Sequence, residues 1–271
     1  MRLRLLFSIF ALSSLAFAGT FDKPASKRVV DLGPSRSNPP GRNAKDQTRA
    51  KVTCYFFSGF MVKEVDMGEK GAERLAIVPV RKNEVRTCSR LRDPGERDIN
   101  SDDWSGYFMG VKGRLVFFSA DDGWNGGMGF AVYDSRTARK IFDDVALGDL
   151  EFSDDVKSVT SLHYTRVVDG GCILPKEQAA CWNKIKTKLA LESSPAPDCK
   201  SGYEKSAQDL AKGRCQAQNT DNAQCVAKEI VLAQQQTSDA SSVIAYPVEV
   251  TLGAGVSIKP AQGVLRCWPS D

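Results

Sequence analysis

Histidine is almost absent: His163 is the only one in 271 residues. A zinc or copper site built on several imidazoles is therefore excluded, and a Ser-His-Asp triad or Cys-His pair would have one residue to draw on. His163 lies in Leu162-His163-Tyr164-Thr165-Arg166, an alternation that places it opposite Leu162 and Tyr164 on a strand. Ordinary strand hydrogen bonds are the expectation for it. No G-x-S-x-G, S-x-x-K or G-K-[ST] occurs. Gly127-Met128-Gly129 and Gly253-Ala254-Gly255 lack the third glycine of a nucleotide fingerprint. C-x-x-C is missing too, which removes the signature of thioredoxin-like redox chemistry and of zinc ribbons. No catalytic constellation is present, and no cofactor is expected.

Long apolar runs are equally scarce. The one at the N-terminus, Leu5 to Leu15, follows Arg2 and Arg4 and precedes Ala16-Phe17-Ala18. A basic segment, an apolar core and a small-x-small site make a signal peptide over residues 1–18. The run is shorter than the roughly 20 residues needed to span a bilayer. Periplasmic or secreted localisation follows, with no transmembrane segment in the mature chain. In such a compartment the eight cysteines (Cys54, Cys88, Cys172, Cys181, Cys199, Cys215, Cys225 and Cys267) are expected to pair. Eight cysteines allow about a hundred connectivities, and the sequence does not select one. Local pairing favours Cys172 with Cys181 and Cys54 with Cys88.

The net charge of +4 is unevenly spread. Residues 19–51 hold eight Lys/Arg against three Asp/Glu, and residues 52–271 have 27 against 30. A basic N-terminal region thus precedes a mildly acidic body, which argues against nucleic-acid binding. Residues 19–50 also carry Pro24, Pro34, Pro39 and Pro40 with few large apolar groups, so a flexible basic tail is expected there. Residues 51–271 then form a single β-rich domain.

In that domain β-prone runs follow one another at Val52–Phe57, Phe60–Val65, Leu75–Val80 and Val85–Arg90. Tyr107–Val111, Arg114–Ser119, Phe130–Asp134 and Lys140–Phe142 are four strands joined by three short connections, hence an antiparallel meander. Strands continue at Ser158–Val168 and Cys172–Leu174, while Trp182–Leu189 is ambiguous. Residues 200–237 or so, rich in Ala, Gln, Lys and Glu, predict an inserted helical hairpin. Gly213 is the expected stop of its first helix, and Cys199, Cys215 or Cys225 its clamp. Val243–Leu252 and Val264–Trp268 return to strand.

The segment Val132-Tyr133-Asp134-Ser135-Arg136-Thr137-Ala138-Arg139-Lys140-Ile141-Phe142 resembles the outer hairpin of quinoprotein-like β-propeller blades. There an apolar strand ends in Asp, a turn carries Thr-Gly-Lys and an aromatic closes the next strand; Ala138 stands where that turn prefers glycine. The resemblance covers about residues 107–142, one blade, and no second segment repeats it cleanly. It implies a mainly β, propeller-like antiparallel meander, with a β-sandwich as the alternative.

Two loops carry the candidate chemistry. Asp98, Asn100 and Asp102 place oxygen-bearing side chains at alternate positions, as calcium turns do. Asp103 and Met109 stand where an EF-hand needs Gly and Glu, so a non-EF calcium turn or a loop of Asx hydrogen bonds remains. In the second loop Trp124 sits at a hairpin tip beside Asp122 and Asn125, and Trp104 has a similar setting. Flat aromatics beside Asp and Asn suit a sugar ring; the alternative is two tryptophans wedged between sheets. The acidic stretch Asp143, Asp144, Asp149, Glu151, Asp154, Asp155 reads as solvated turns. A non-enzymatic binding or scaffold module for an envelope or extracellular glycan or protein is the expectation. The alternative is a carboxylate-based glycoside hydrolase or other carbohydrate-active enzyme.

Overall fold

Leu115-Val116-Phe117-Phe118 and Val243-Ile244-Ala245-Tyr246 lack the alternation of a half-solvated strand, and both lie in a sheet covered on its two faces. The computed structural model describes residues 21–39, 41, 43, 45–81, 84, 86–99, 105–154, 160–220, 223–253 and 255–271. Strands β1 (Ser26–Pro34), β2 (Arg49–Phe57), β3 (Phe60–Asp66), β4 (Arg74–Pro79) and β5 (Arg97–Asp98) form one antiparallel sheet in chain order. A second, eight-stranded sheet contains β6 (Gly106–Lys112), β7 (Leu115–Trp124), β8 (Gly127–Asp134), β9 (Lys140–Asp154) and β10 (Thr160–Asp169). Helices α1 (Leu174–Lys188), α2 (Cys199–Ala217) and α3 (Ala223–Ser238) intervene. The chain then returns as β11 (Ser242–Leu252), β12 (Val256–Pro260) and β13 (Arg266–Pro269), with β11 beside β10 and both β12 and β13 on β11.

The eight-stranded sheet is the middle layer. Val116, Phe118, Ala131 and Tyr133 meet Phe60, Val62, Leu75 and Ile77 of the five-stranded sheet. Leu115, Phe117, Phe130 and Val132 point the other way, into a core shared with Trp182 and Ile185 of α1 and Tyr203 of α2. Each fully buried side chain of this size contributes roughly 1.5–3 kcal/mol. The chain is thus mainly β, an antiparallel meander with a helical insertion, and its two sheets stack face to face in the sandwich arrangement. The middle sheet also rolls. Phe117 on β7 and Phe152 near the end of β9 stand two strands apart, yet their rings approach to 5.5 Å. The bend lies in β9, where pairing with β10 skips between His163↔Glu151 and Thr165↔Leu147, around Gly148 at φ 87°.

The flexible tail expected over residues 19–50 is corrected. Ser26–Pro34 is a strand paired with β2, and Asp22 N–H donates to the Val111 carbonyl at the edge of β6 (2.7 Å). Phe21 packs edge-on against Phe117 (5.3 Å) and Phe152 (4.8 Å). Pro24 and Pro34 do not break this strand; they bracket it. Its charges suit an edge position, with Lys27 over the Tyr55 ring and Arg28 over Phe56. Residues 35–48 form the long β1–β2 connection, closed by Asn38, whose side-chain amide exchanges two 2.8 Å hydrogen bonds with the Thr48 backbone.

Other expectations need revision. The strand placed at Val85–Arg90 is irregular over 86–89, and the segment lies over the outer face of the five-stranded sheet, held by Cys54–Cys88. Beneath it Lys63, fully buried, donates to the Leu91 carbonyl (2.6 Å) and pairs with Asp93 (2.6 Å) and Glu96 (2.5 Å). Cys172–Leu174 and Trp182–Leu189 belong not to strands but to the approach and body of α1. Pro175 suits its first turn, and Leu174, Cys181, Trp182 and Ile185 form its buried stripe. Gly213 does not stop α2, which continues to Ala217. The helical insertion over about 200–237 stands, and so do both locally favoured bridges, Cys54–Cys88 and Cys172–Cys181. Cys215–Cys225 staples α2 to α3, and Cys199–Cys267 ties α2 to β13. Among the described residues no helix is long and apolar enough to cross a membrane.

Candidate functional site

The β7–β8 hairpin turns through Asn125 and Gly126, both at positive φ (50° and 78°). Asparagine and glycine tolerate that backbone best, which is why the chain reverses here in two residues. The tip is then bound to the C-terminus. The Trp268 indole N–H donates to the Asn125 carbonyl (3.2 Å), and the Asn125 side-chain oxygen accepts the Asp271 N–H (2.9 Å). Asn125 is therefore buried, 3% exposed, and its groups serve the fold. Trp124, one residue earlier, is 45% exposed. The tethered turn thus holds the backbone at Trp124 in place while its indole stands open to solvent.

Asp122 lies two residues before Trp124, and its carboxylate is paired with Lys70. Hydrogen bonding and the Lys70 charge hold Asp122 below the usual carboxylate range, and Asp122 in turn raises Lys70. Lys70 lines a concavity of about 230 Å³ together with Arg36, Met67, Glu69, Glu73 and Arg90. Glu73 is engaged by Arg90 (3.1 Å), whereas Arg36 has no partner among the described residues. Tyr107 fastens this β3–β4 turn to the middle sheet: its hydroxyl accepts the Gly71 N–H (2.8 Å) and donates to the Glu69 carbonyl (3.2 Å). Gly71 is obligatory, since φ is +80° and a Cβ would stand 2.2 Å from the Ser105 hydroxyl. The Lys70–Asp122 pair thus joins the rim of the concavity to the Trp124 hairpin.

Trp104, Asn100 and Asp102 lie outside the described residues, as does Asp103. Asp98, the remaining member of the calcium-like turn, is on β5 with its carboxylate bound to Arg92. Among the described residues no three His, Cys, Asp or Glu side chains are placed to hold a metal ion. His163 is half-buried on the outer side of the roll, 3.4 Å from the Ser153 hydroxyl. It is paired across the strands with Glu151 and Glu249.

One polar cluster was not anticipated. Asp144, expected in a solvated turn, is buried inside the roll, where it accepts from the Tyr164 hydroxyl (2.5 Å) and from Arg166 Nε (3.0 Å). Arg166 also reaches the Tyr246 hydroxyl (3.3 Å). Burial, then the Asp144 charge, pushes the Tyr164 phenol far above its ordinary value. The alternation Leu162, Tyr164, Arg166 was a usable signal for these two side chains sharing an inward face; the register that brings Asp144 to them was not legible. With Asp143 paired to Lys140 (3.1 Å) and Asp122 to Lys70, these three acids are each held by a cation, a poor arrangement for general acid catalysis. No family model, curated protein or solved structure matches this chain.

Proposed function

We propose that the chain is a periplasmic or secreted binding module, disulfide-bonded and non-enzymatic, that takes a glycan on the face carrying Trp124. The carrying observation is the contrast within two adjacent residues: Trp124 is half open, while Asn125 is buried and bonded on both sides. An aromatic with two side-chain torsions on a fixed backbone loses little freedom on binding, so stacking against a sugar ring is retained as affinity. Asp122, two residues before it, and the Lys70 bound to that carboxylate supply hydroxyl-binding groups, and Arg36 lines the concavity that Lys70 adjoins. Four disulfides support an oxidising compartment.

The test is isothermal titration of the mature protein with chito-, cello- and peptidoglycan-derived oligosaccharides, beside Trp124→Ala. Binding by at least one oligosaccharide, weakened at least about tenfold in the variant with Tm unchanged, is expected; tenfold corresponds to about 1.4 kcal/mol. Equal affinities for both proteins, or no binding of any sugar, would remove the reading.

A further inference from the structure

At the far end of β7 from Trp124, three tight turns converge on a second concavity. It has a volume of about 480 Å³ and is lined by Ser58, Gly59, Phe60, Pro79, Gly113, Arg114, Ser135 and Arg136. The volume lies in the range of small-molecule sites. Its sides come from both sheets: the β2–β3 turn, the end of β4, the β6–β7 turn and the β8–β9 turn. Phe60, 7% exposed, and Pro79 give it an apolar floor. Gly59 and Gly113 stand at positive φ with open space where a side chain would project, so both turns leave the mouth clear.

The rim is cationic and its geometry is fixed from below. Asp134 accepts the N–H groups of Arg136 (3.0 Å) and Thr137 (2.9 Å) and the Thr137 hydroxyl (3.1 Å). It also pairs with Arg114 Nε at 3.1 Å, and the Arg114 carbonyl takes the Ser135 N–H (2.8 Å). Burial pushes the Asp134 carboxyl up, but these hydrogen bonds and the Arg114 charge outweigh it and hold it below the usual range. Arg97 of β5 donates to the Arg136 carbonyl (2.7 Å) and so ties that turn to the five-stranded sheet. Two carboxylates stand nearby, and each is spent on structure: Asp134 as described, and Asp22, which accepts the Gly113 N–H (2.6 Å). The Arg136 guanidinium has no partner among the described residues.

From this we infer that the three-turn concavity is a second binding site, for a six-membered ring carrying one anionic group, with Arg136 as the ligand's principal ion-pair partner. The apolar floor takes the ring face, the guanidinium fork takes a carboxylate or phosphate, and the exposed Ser58 hydroxyl lies at the edge. The site is independent of the Trp124 face, so either can fail without the other.

The experiment titrates the mature protein, its Arg136→Gln variant and its Trp124→Ala variant with trigalacturonate, glucose 6-phosphate, neutral maltotriose and sodium sulfate. The Arg136 side chain is exposed and unbonded, so Arg136→Gln should melt like the wild type. Expected is binding of trigalacturonate, of glucose 6-phosphate or of both, weakened about tenfold in Arg136→Gln and unchanged in Trp124→Ala. Which of the two binds tells a ring carboxylate from a phosphate. Affinity should fall as ionic strength rises. Maltotriose binding as tightly, sulfate alone binding as tightly, or Arg136→Gln matching the wild type would overturn the inference, as would no binding of either acidic probe.

Discussion

Phe21 and Gly110 permit a stringent test of how the N-terminal segment is held. A Cβ built on Gly110 would stand 2.3 Å from the Phe21 ring, which itself leans on Phe117 and Phe152. Truncation of a fully buried Phe costs about 3–5 kcal/mol; Phe21 is half-buried, so about 2 kcal/mol is expected for Phe21→Ala. Gly110→Ala overpacks the same spot and should cost about 1–3 kcal/mol. Because the new methyl enters the space that the ring vacates, the double variant should be more stable than the sum of the singles by about 1 kcal/mol or more. Urea unfolding of the oxidised mature protein, followed by tryptophan fluorescence and far-ultraviolet circular dichroism, measures all four corners of the cycle. For a chain of this length Phe21→Ala should lower Tm by roughly 4–8 °C. Additive costs, or a Phe21→Ala effect below about 0.5 kcal/mol, would refute the packing of this segment against the middle sheet.

Two further expectations concern stability. Ala138 sits at φ 51° in the Asp134 turn, so Ala138→Gly should stabilise by about 0.5–1 kcal/mol in the same urea assay, relief of left-handed strain exceeding the added chain entropy; a loss of stability would contradict it. Glu64 is 7% exposed at the sheet interface, where it accepts the Phe108 N–H (2.8 Å), and burial raises its pKa above the ordinary 4.5. Its folded-state pKa exceeds the unfolded one, so its contribution is full below about pH 4.5 and is lost as pH rises through the folded value. Glu64→Gln keeps the acceptor and removes the charge. It should therefore be more stable than the wild type at pH 7–8, with the difference shrinking toward pH 4; a difference independent of pH would exclude this cause.

Local signals carried much of the fold. The hairpins from Tyr107 to Phe142 were legible because short turns and β-branched or aromatic runs coincide there, and Cys54–Cys88 and Cys172–Cys181 because each joins two cysteines that follow one another in the chain. Strand β1 was hidden because its prolines and charges match a disordered composition, whereas its order comes from pairing with β2. Helix α1 was hidden for a related reason: a short apolar run such as Cys172-Ile173-Leu174 has no periodicity of its own, and the helical stripe emerges only over the next turns. At the site, the hairpin tip beside Trp124 was legible from Asn125-Gly126, but whether the indole stands open or wedges between sheets was not. The Lys70 partner of Asp122, the bonding of Asn125 to Asp271 and the Arg136 concavity all depend on contacts between elements far apart in sequence.

The pattern of cystine bridges has a consequence for biogenesis. Thiols met in chain order, and joined to the next one available, would form Cys54–Cys88 and Cys172–Cys181 correctly. The same rule would then join Cys199 to Cys215, whereas the native partners are Cys267 and Cys225. Cys199 and Cys215 stand on one helix, separated by about 24 Å at 1.5 Å per residue, so a coiled α2 makes the wrong crosslink unreachable. The molecule must therefore either wind that helix before its fifth sulfur is oxidised or rely on an isomerase to undo the mistake.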